Sequence, residues 1–267
     1  MIPEEELTGS YCRFMKNAGL LQWDLREHKP SKNVQLGATY AALADIEEDS
    51  RFMQVKIKQA GLHRRAPLRD FNIQWLCEEQ EHATALRTMA KLRGASIMPR
   101  EHDLGARDKR SIAAVVGLNI LKLAETEVMT AYMTLGTIQE FFAITTYRHM
   151  ANTVGSPEEA SILTMLARQE GRHMRFFHEG ANLLLRGNPP RTAAVVRFIF
   201  RNFWRPPGTD LLGADAWQAC FGGMLNDPHF RQRLRKGDDI ICAMPGLQEL
   251  AIIENFLSRH PSSTMVE

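Results

Sequence analysis

Apolar side chains recur every three to four positions along most of the chain from Val34 onward, with polar residues between them. That spacing places the apolar residues on one face of an α-helix. Alternating apolar and polar runs joined by Asn-Gly or Asp-Gly turns, which are typical of β-hairpins, do not occur. The pattern therefore predicts an all-α protein.

Glycine, proline and capping residues divide this pattern into segments. At "VGSPEEAS", Gly155 suits a helix C-terminus, Ser156 an N-cap and Pro157 a first helical turn. The sequence predicts long helices at about 34–61, 69–93, 109–152 (with a break near 124 and 125 left open) and 157–185. Shorter helices, interpreted as a cover on a bundle, are predicted at about 192–203, 214–225, 230–236 and 247–258.

The composition limits the class of protein and the number of domains. We interpret residues 1–267 as one domain, with a bundle core at about 33–186 and a C-terminal helical cover at about 190–260. A net charge of +2, with 44% hydrophobic and 24% charged residues, is ordinary for a globular protein and does not indicate nucleic-acid binding. Four scattered cysteines, no apolar signal core and no long apolar run predict a soluble cytoplasmic protein that neither enters nor binds a membrane.

Two stretches of the helical pattern repeat one motif. "QWLCEEQEHATALRTM" contains Glu79-x-x-His82, and "LARQEGRHMRFF" contains Glu170-x-x-His173. A spacing of three puts both side chains of a pair on one helix face. Nine histidines make about one such pair expected by chance, so the context must decide. Flanking apolar residues place both glutamates on core-facing stripes, which favours burial over solvent exposure.

The second helical hairpin places another glutamate opposite its motif. Glu170 lies fifteen residues after Gly155, and Glu140 lies fifteen residues before it. Both are therefore roughly 22 Å from the turn, which makes them level in antiparallel helices. Glu125 and Glu127 would be roughly 20 Å out of level and are rejected.

The first hairpin repeats this arrangement around His63. Glu79 lies sixteen residues after His63 and Glu47 sixteen residues before it, with Glu48 almost as well placed. Four carboxylates and two imidazoles are the ligand set of di-iron and di-manganese carboxylate bundles, and these ligands favour iron or manganese. Glu78 and Glu81, and Glu48 where Glu47 is the ligand, are candidates for supporting the imidazole rings or for the surface.

These residues resemble the soluble acyl-carrier-protein desaturase family of ferritin-like di-iron proteins. The similarity covers about 33–186 and rests on "WLCEEQEH", on Gln139-Glu140, on "EGRH" and on the doublet Glu47-Glu48. It implies a ferritin-like four-helix bundle with additional C-terminal helices, and it selects Glu47 and Glu79 within the two acidic doublets. The metal ligands so implied are Glu47, Glu79, His82, Glu140, Glu170 and His173.

The resemblance also implies an activity. Members of the family use O2 and electrons, normally from ferredoxin, to remove hydrogen from an unactivated acyl chain on acyl carrier protein. Plant members have a threonine three residues after the third-helix ligand and an aspartate before the fourth-helix ligand, where this chain has Ala143 and Gln169. The threonine is associated with handling bound oxygen and the aspartate with the electron route. Hydroxylation or N-oxygenation of a small amine or amino acid is therefore an alternative reaction.

The sequence thus predicts an oxidoreductase with two iron ions, or a manganese and iron pair, that uses O2 to oxidise a carrier-bound acyl chain. A ferritin-like metal-binding protein is the non-catalytic alternative. Basic clusters at "HRRAPLR", "RFIFRNFWR" and "RQRLRK" either steer an acidic carrier protein or are solvated faces. The resemblance suggests a homodimer. Apolar residues near the ligands either line a substrate pocket or fill the core: Met133, Phe141, Phe142, Met174 and Phe177.

Overall fold

The computed structural model describes residues 4–16, 21, 23–51, 57–58, 61, 64–96, 125–188 and 190–261. Every regular element within these residues is helical, so the predicted all-α class is confirmed. The helices are α1 (Glu4–Met15), α2 (Val34–Glu48), α3 (Ala66–Leu92), α4 (Glu125–Thr153), α5 (Pro157–Gly187), α6 (Pro190–Phe203), α7 (Thr209–Leu212), α8 (Ala214–Asn226), α9 (Pro228–Cys242) and α10 (Ile252–Arg259).

The turn between α4 and α5 is formed by the residues that predicted it. Gly155 has a φ of 71°, in the left-handed region that glycine adopts without strain. The Ser156 hydroxyl oxygen accepts a hydrogen bond from the backbone N–H of Glu159 at 3.3 Å, and Pro157 occupies the first turn of α5. This short connection holds α4 and α5 side by side.

The long helices pack in two main pairs, α4 with α5 and α2 with α3, and α3 also contacts α5. α1 lies on α5 and α3, while α6 and α9 pack on α4 and α8 packs on α2. One close approach between α4 and α5 requires a glycine: a Cβ at Gly136 would lie 2.4 Å from the Phe177 ring. The missing side chain leaves room for that ring one turn before Glu140.

Side chains of α9 hold both ends of α10. The Asp238 carboxylate accepts the backbone N–H groups of Ile253 and Glu254, each at 2.8 Å, at the start of α10. The Arg231 guanidinium donates to the carbonyls of Leu257 at 2.9 Å and His260 at 2.6 Å at its end. The negative Asp238 thus lies at the positive start of the α10 dipole, and the positive Arg231 lies at its negative end. Each side chain also satisfies backbone groups that have no partner within the helix.

The helix boundaries differ from the sequence predictions in several places: α2 ends at Glu48, where the sequence predicted one helix as far as about residue 61. α1 and α7 were not predicted, α9 is longer than the predicted 230–236, and α10 begins at Ile252 rather than near Leu247. The chain before α10 forms turns instead, with Glu249 at a φ of 68°. Residues 50–51 and 57–58 are helical beyond α2, while 52–56, His63 and residues 109–124 of the predicted third helix lie outside the described residues.

The described helices include none with the length and apolar character needed to cross a bilayer.

Candidate metal centre

The six sequence-predicted ligands lie together in the interior. α2 carries Glu47, α3 carries Glu79 and His82, α4 carries Glu140, and α5 carries Glu170 and His173. None of the six is more than 6% exposed. The Glu-x-x-His spacing turns both members of each pair to the same side of its helix. Four carboxylates and two imidazoles therefore share a single buried region, which is costly unless cations or protons compensate the charge.

Ligand atoms of these residues form two overlapping groups. Glu47, Glu79, His82 and Glu170 form the first group, and Glu79, Glu140, Glu170 and His173 form the second. The ligand atoms within each group lie within 4.8 Å of one another. Glu79 and Glu170 belong to both groups. Two such groups, which share two carboxylates and each add one further carboxylate and one imidazole, could hold a metal ion.

Both imidazoles direct Nδ1 toward the shared carboxylates. His82 Nδ1 lies 2.9 Å from Glu170 Oε1, and His173 Nδ1 lies 2.8 Å from Glu170 Oε2. His173 Nδ1 is also 3.2 Å from Glu79 Oε1. One oxygen of Glu170 therefore faces each histidine.

Other buried side chains hold the ligands in place. Trp75 Nε1–H donates to Glu140 Oε1 at 3.1 Å, and the Tyr147 hydroxyl donates to Glu47 Oε1. Each carboxylate that belongs to a single group thus receives one hydrogen bond from an aromatic residue. Each histidine has an acceptor on its outer nitrogen, since His82 Nε2 lies 2.7 Å from Gln169 Oε1 and His173 Nε2 lies 2.7 Å from Glu78 Oε2. Such contacts would leave Nδ1 of each histidine as the nitrogen available to a metal.

The unsatisfied atoms of the cluster fit a cation. Glu79 Oε1, Glu170 Oε1 and His82 Nδ1 are buried and form no hydrogen bond of acceptable geometry among the described residues, although His82 Nδ1 and Glu170 Oε1 are 2.9 Å apart. Buried polar atoms are nearly always paired, so three such atoms at one place indicate a missing partner. A divalent cation accepts oxygen and imidazole nitrogen ligands together. The residues present therefore fit a metal site.

Comparison of the chain with family models, curated proteins and solved structures finds no match. The cluster itself is thus the main guide to function. The structure shows buried glutamate and histidine groups that could hold a metal ion.

The electrostatics of the metal-free cluster follow from burial and mutual repulsion. Burial raises the pKa of Glu79 and of Glu140 well above the ordinary 4.5, and repulsion from Glu170 and Glu47 raises both further. Burial would also raise the pKa of Glu170, but the imidazoles of His82 and His173 outweigh it and lower that pKa. Burial lowers the pKa of His82, yet Glu170 and Glu47 outweigh it, so this pKa is raised well above 6.5. Without metal, the cluster therefore retains protons.

The remaining glutamates near the motifs have other partners. Glu48, which the level argument left as an alternative to Glu47, forms ion pairs with Arg87 and with Arg51. Glu81 accepts a hydrogen bond from the backbone N–H of Leu21 at 3.2 Å. Of the three candidates for supporting an imidazole, Glu78 is the one in contact with a ligand histidine. The rejected Glu125 and Glu127 form ion pairs with Arg65 and Arg191, each at 2.9 Å.

Glu78 is itself firmly held. Arg172 donates to its Oε2 and Gln74 donates to its Oε1, each at 3.0 Å. Burial alone would raise the pKa of Glu78, but the hydrogen bond and charge of His173, with Gln74 and Arg172, lower it to about 2. Glu78 is therefore an anion in the folded protein.

Sequence reasoning did not assign roles to Tyr147 and Trp75. Tyr147 lies seven residues after Glu140, which places it on the same face of α4, and this spacing was the available signal.

Phe142 packs against Phe221 and Phe230, and Phe177 packs against Trp75 and Tyr132. These contacts favour the core-packing interpretation of both phenylalanines.

The retained protons predict that the metal-free protein loses stability as pH rises. From about pH 4.5 upward the folded state keeps protons on Glu79 and Glu140 that the unfolded chain has released, so the free energy of unfolding falls. The raised pKa of His82 acts in the same direction above 6.5, since its stabilising charge is lost as pH rises. We expect the melting temperature in chelator to fall between about pH 5 and about pH 8.

Thermal melting monitored by circular dichroism measures this effect. In a Glu79→Gln, Glu140→Gln variant, the amides imitate protonated carboxyl groups, so the decline should be smaller. Metal requires deprotonated ligands, so its addition should stabilise the parent most at the higher pH. A melting temperature that rises with pH in chelator would contradict the proton retention.

Proposed function

We propose that this chain is a ferritin-like four-helix bundle that binds two iron ions and uses O2 to oxidise an organic substrate. The overlapping groups that share Glu79 and Glu170 carry this proposal. The bundle would be formed by α2, α3, α4 and α5, each of which supplies one or two of the six side chains. This is the helix-by-helix distribution of ligands found in di-metal carboxylate bundles.

The roles of the ligands follow from their positions. Glu79 and Glu170 would bridge the two ions, because each belongs to both groups. Glu47 and His82 would complete one position, and Glu140 and His173 the other. An iron pair bound there supplies one-electron redox chemistry and activation of O2. Carboxylate oxygens and imidazole nitrogens suit iron and manganese, so the same residues would also hold a manganese and iron pair.

The most specific activity we propose is desaturase-like oxidation of an acyl chain. In that reaction O2 accepts two hydrogen atoms from the chain, two electrons from a donor such as ferredoxin and two protons from solvent, and two waters leave. The described residues would contribute burial, which excludes bulk water, and the hydrogen bonds from Trp75 and Tyr147, which hold Glu140 and Glu47 in place. The match of the six ligands to the desaturase pattern supports this reading.

An acyl carrier protein is the proposed partner, and α6 offers the most suitable basic surface. In the other two clusters, Arg65 and Arg69 pair with acidic residues, and Arg235 pairs with Glu254. Arg201 and Arg205 on and after α6 are exposed and form no ion pair among the described residues, and they lie near the exposed Phe198 and Phe203. An acidic protein with an apolar attachment complements such a surface.

Ala143 and Gln169 occupy the positions where the plant enzymes have threonine and aspartate. This difference supports a second candidate reaction. The alternative is hydroxylation or N-oxygenation of a small amine or amino acid at the same metal site. A ferritin-like storage role would keep the ligands without any organic substrate.

The test is a single-turnover reaction of iron-loaded, chemically reduced protein with O2 in the presence of acyl carrier protein carrying a saturated chain. Mass spectrometry of the chain should show the loss of two hydrogen atoms. A gain of one oxygen would indicate hydroxylation, and turnover of free amines without carrier protein would favour N-oxygenation. Iron oxidation that leaves every organic substrate unchanged would overturn the oxygenase proposal in favour of storage. A Glu48→Ala variant should give the same product as the parent, because Glu48 pairs with arginines outside the cluster.

A further inference from the structure

The two histidines of the cluster are held by chemically different acceptors. His173 Nε2 lies 2.7 Å from the carboxylate of Glu78, and His82 Nε2 lies 2.7 Å from the amide oxygen of Gln169. All four residues are buried, with Gln169 the most exposed at 6%. The difference is therefore one of charge and not of distance or of access to water.

The rest of the cluster is closely matched on its two sides. Glu79 and Glu170 belong to both groups. Glu47 and Glu140 each belong to one group, are each 6% exposed and each accept one hydrogen bond from an aromatic residue. What distinguishes the two metal positions most clearly is thus the partner of the histidine.

A carboxylate acceptor strengthens the histidine as a ligand. An N–H that donates to an anion is polarised more than one that donates to a neutral amide, and this pushes electron density toward the opposite ring nitrogen. Arg172 and Gln74 fix both oxygens of Glu78, so its hydrogen bond also holds the His173 ring in one orientation. The paired Arg172 cancels much of the long-range field of Glu78, but it leaves the carboxylate in contact with the ring.

We propose that the two metal positions are unequal and that Glu78 is the positioning residue responsible. The position formed by Glu79, Glu140, Glu170 and His173 fills first, and the position with Glu47 and His82 fills second. This inference rests on the proposed two-metal site and deepens it, because an unequal pair can be loaded stepwise or with two different metals. Loss of such a supporting contact typically changes metal affinity about 10- to 100-fold.

Anaerobic titration of the metal-free protein with Co2+, followed by its visible absorption, tests the inequality directly. The parent should bind two ions in separate steps, the first about 10- to 100-fold tighter. Glu47→Ala should retain the tight step, and Glu140→Ala should retain the weak one. The opposite result would overturn the assignment of the first position.

Variants of the histidine partners test the role of Glu78. Glu78→Gln should weaken the first step toward the second, and Gln169→Glu should strengthen the second step. Glu81→Gln makes the same chemical change on the same helix, but Glu81 accepts a backbone N–H and does not contact His173, so the first step should stay unchanged. Circular dichroism of each variant verifies the fold, and Glu78→Asp should restore part of the first step.

The possible failures separate this inference from the proposed function. Two ions that bind with equal affinity in the parent would overturn the inequality and leave the two-metal proposal standing. A Glu78→Gln variant with the affinities of the parent would overturn the role of Glu78. A parent that binds no Co2+, Fe2+ or Mn2+ would remove both proposals.

Discussion

Replacing Glu170 with alanine should remove metal from both positions, whereas replacing Glu47 should remove it from one. Glu170 places Oε1 at 2.9 Å from His82 Nδ1 and Oε2 at 2.8 Å from His173 Nδ1, so it belongs to both groups. Glu47 belongs to the first group alone. With Fe2+ under anaerobic conditions, we expect about two ions per chain in the parent, close to none in Glu170→Ala and about one in Glu47→Ala.

Metal analysis after desalting measures these contents. Glu48→Ala is the matched control, because it removes the neighbouring carboxylate of α2 and should keep two ions. Glu170 is fully buried between two imidazoles, so circular dichroism must show that its variant is folded. A folded Glu170→Ala protein that still binds two ions would rule out the bridging role.

The grouping of the glutamates in the cluster could be predicted because an α-helix has a constant rise per residue. Counting fifteen residues on either side of Gly155 brought Glu140 and Glu170 to one level, and the two residues lie in one buried group. The count around His63 left Glu47 and Glu48 open, since neighbouring residues on a helix differ by only about 1.5 Å in height. Direction decides between them: Glu47 faces the interior and Glu48 pairs with Arg87.

Other helix boundaries and side-chain contacts depend on segments far apart in the sequence, and the periodicity of apolar residues does not predict which segments meet. α10 begins at Ile252 because Asp238, on a different helix, accepts the first backbone N–H groups. The pairing of His82 with Gln169 likewise joins residues 87 positions apart. By contrast, the start of α9 has a local signal, since Asp227 accepts the backbone N–H of His229 at 2.7 Å and Pro228 follows the cap. That boundary could have been found from the sequence.

Replacing Glu159 with alanine should be among the most destabilising single substitutions away from the metal centre. This fully buried carboxylate accepts hydrogen bonds from Arg93 Nε at 2.9 Å and Nη2 at 3.0 Å. It also accepts the Tyr40 hydroxyl at 2.8 Å and lies 3.2 Å from His28 Nε2. The alanine variant leaves the Arg93 guanidinium, 5% exposed, without its counter-charge. We expect a loss of about 3–5 kcal/mol in the free energy of unfolding.

Urea denaturation in the presence of chelator measures this loss separately from any effect of metal. Glu158→Ala is the matched control, because the Glu158 side chain is 56% exposed and its removal should cost far less stability than the removal of Glu159. Glu159→Gln keeps an acceptor for Tyr40 but not the charge that Arg93 needs, so its cost should fall between the two. Equal losses for Glu158→Ala and Glu159→Ala would show that the Arg93 pair contributes nothing beyond a solvent-exposed contact. A large loss for Glu159→Ala alone would show that the buried Arg93 guanidinium depends on Glu159 for its counter-charge at this end of the α4–α5 hairpin.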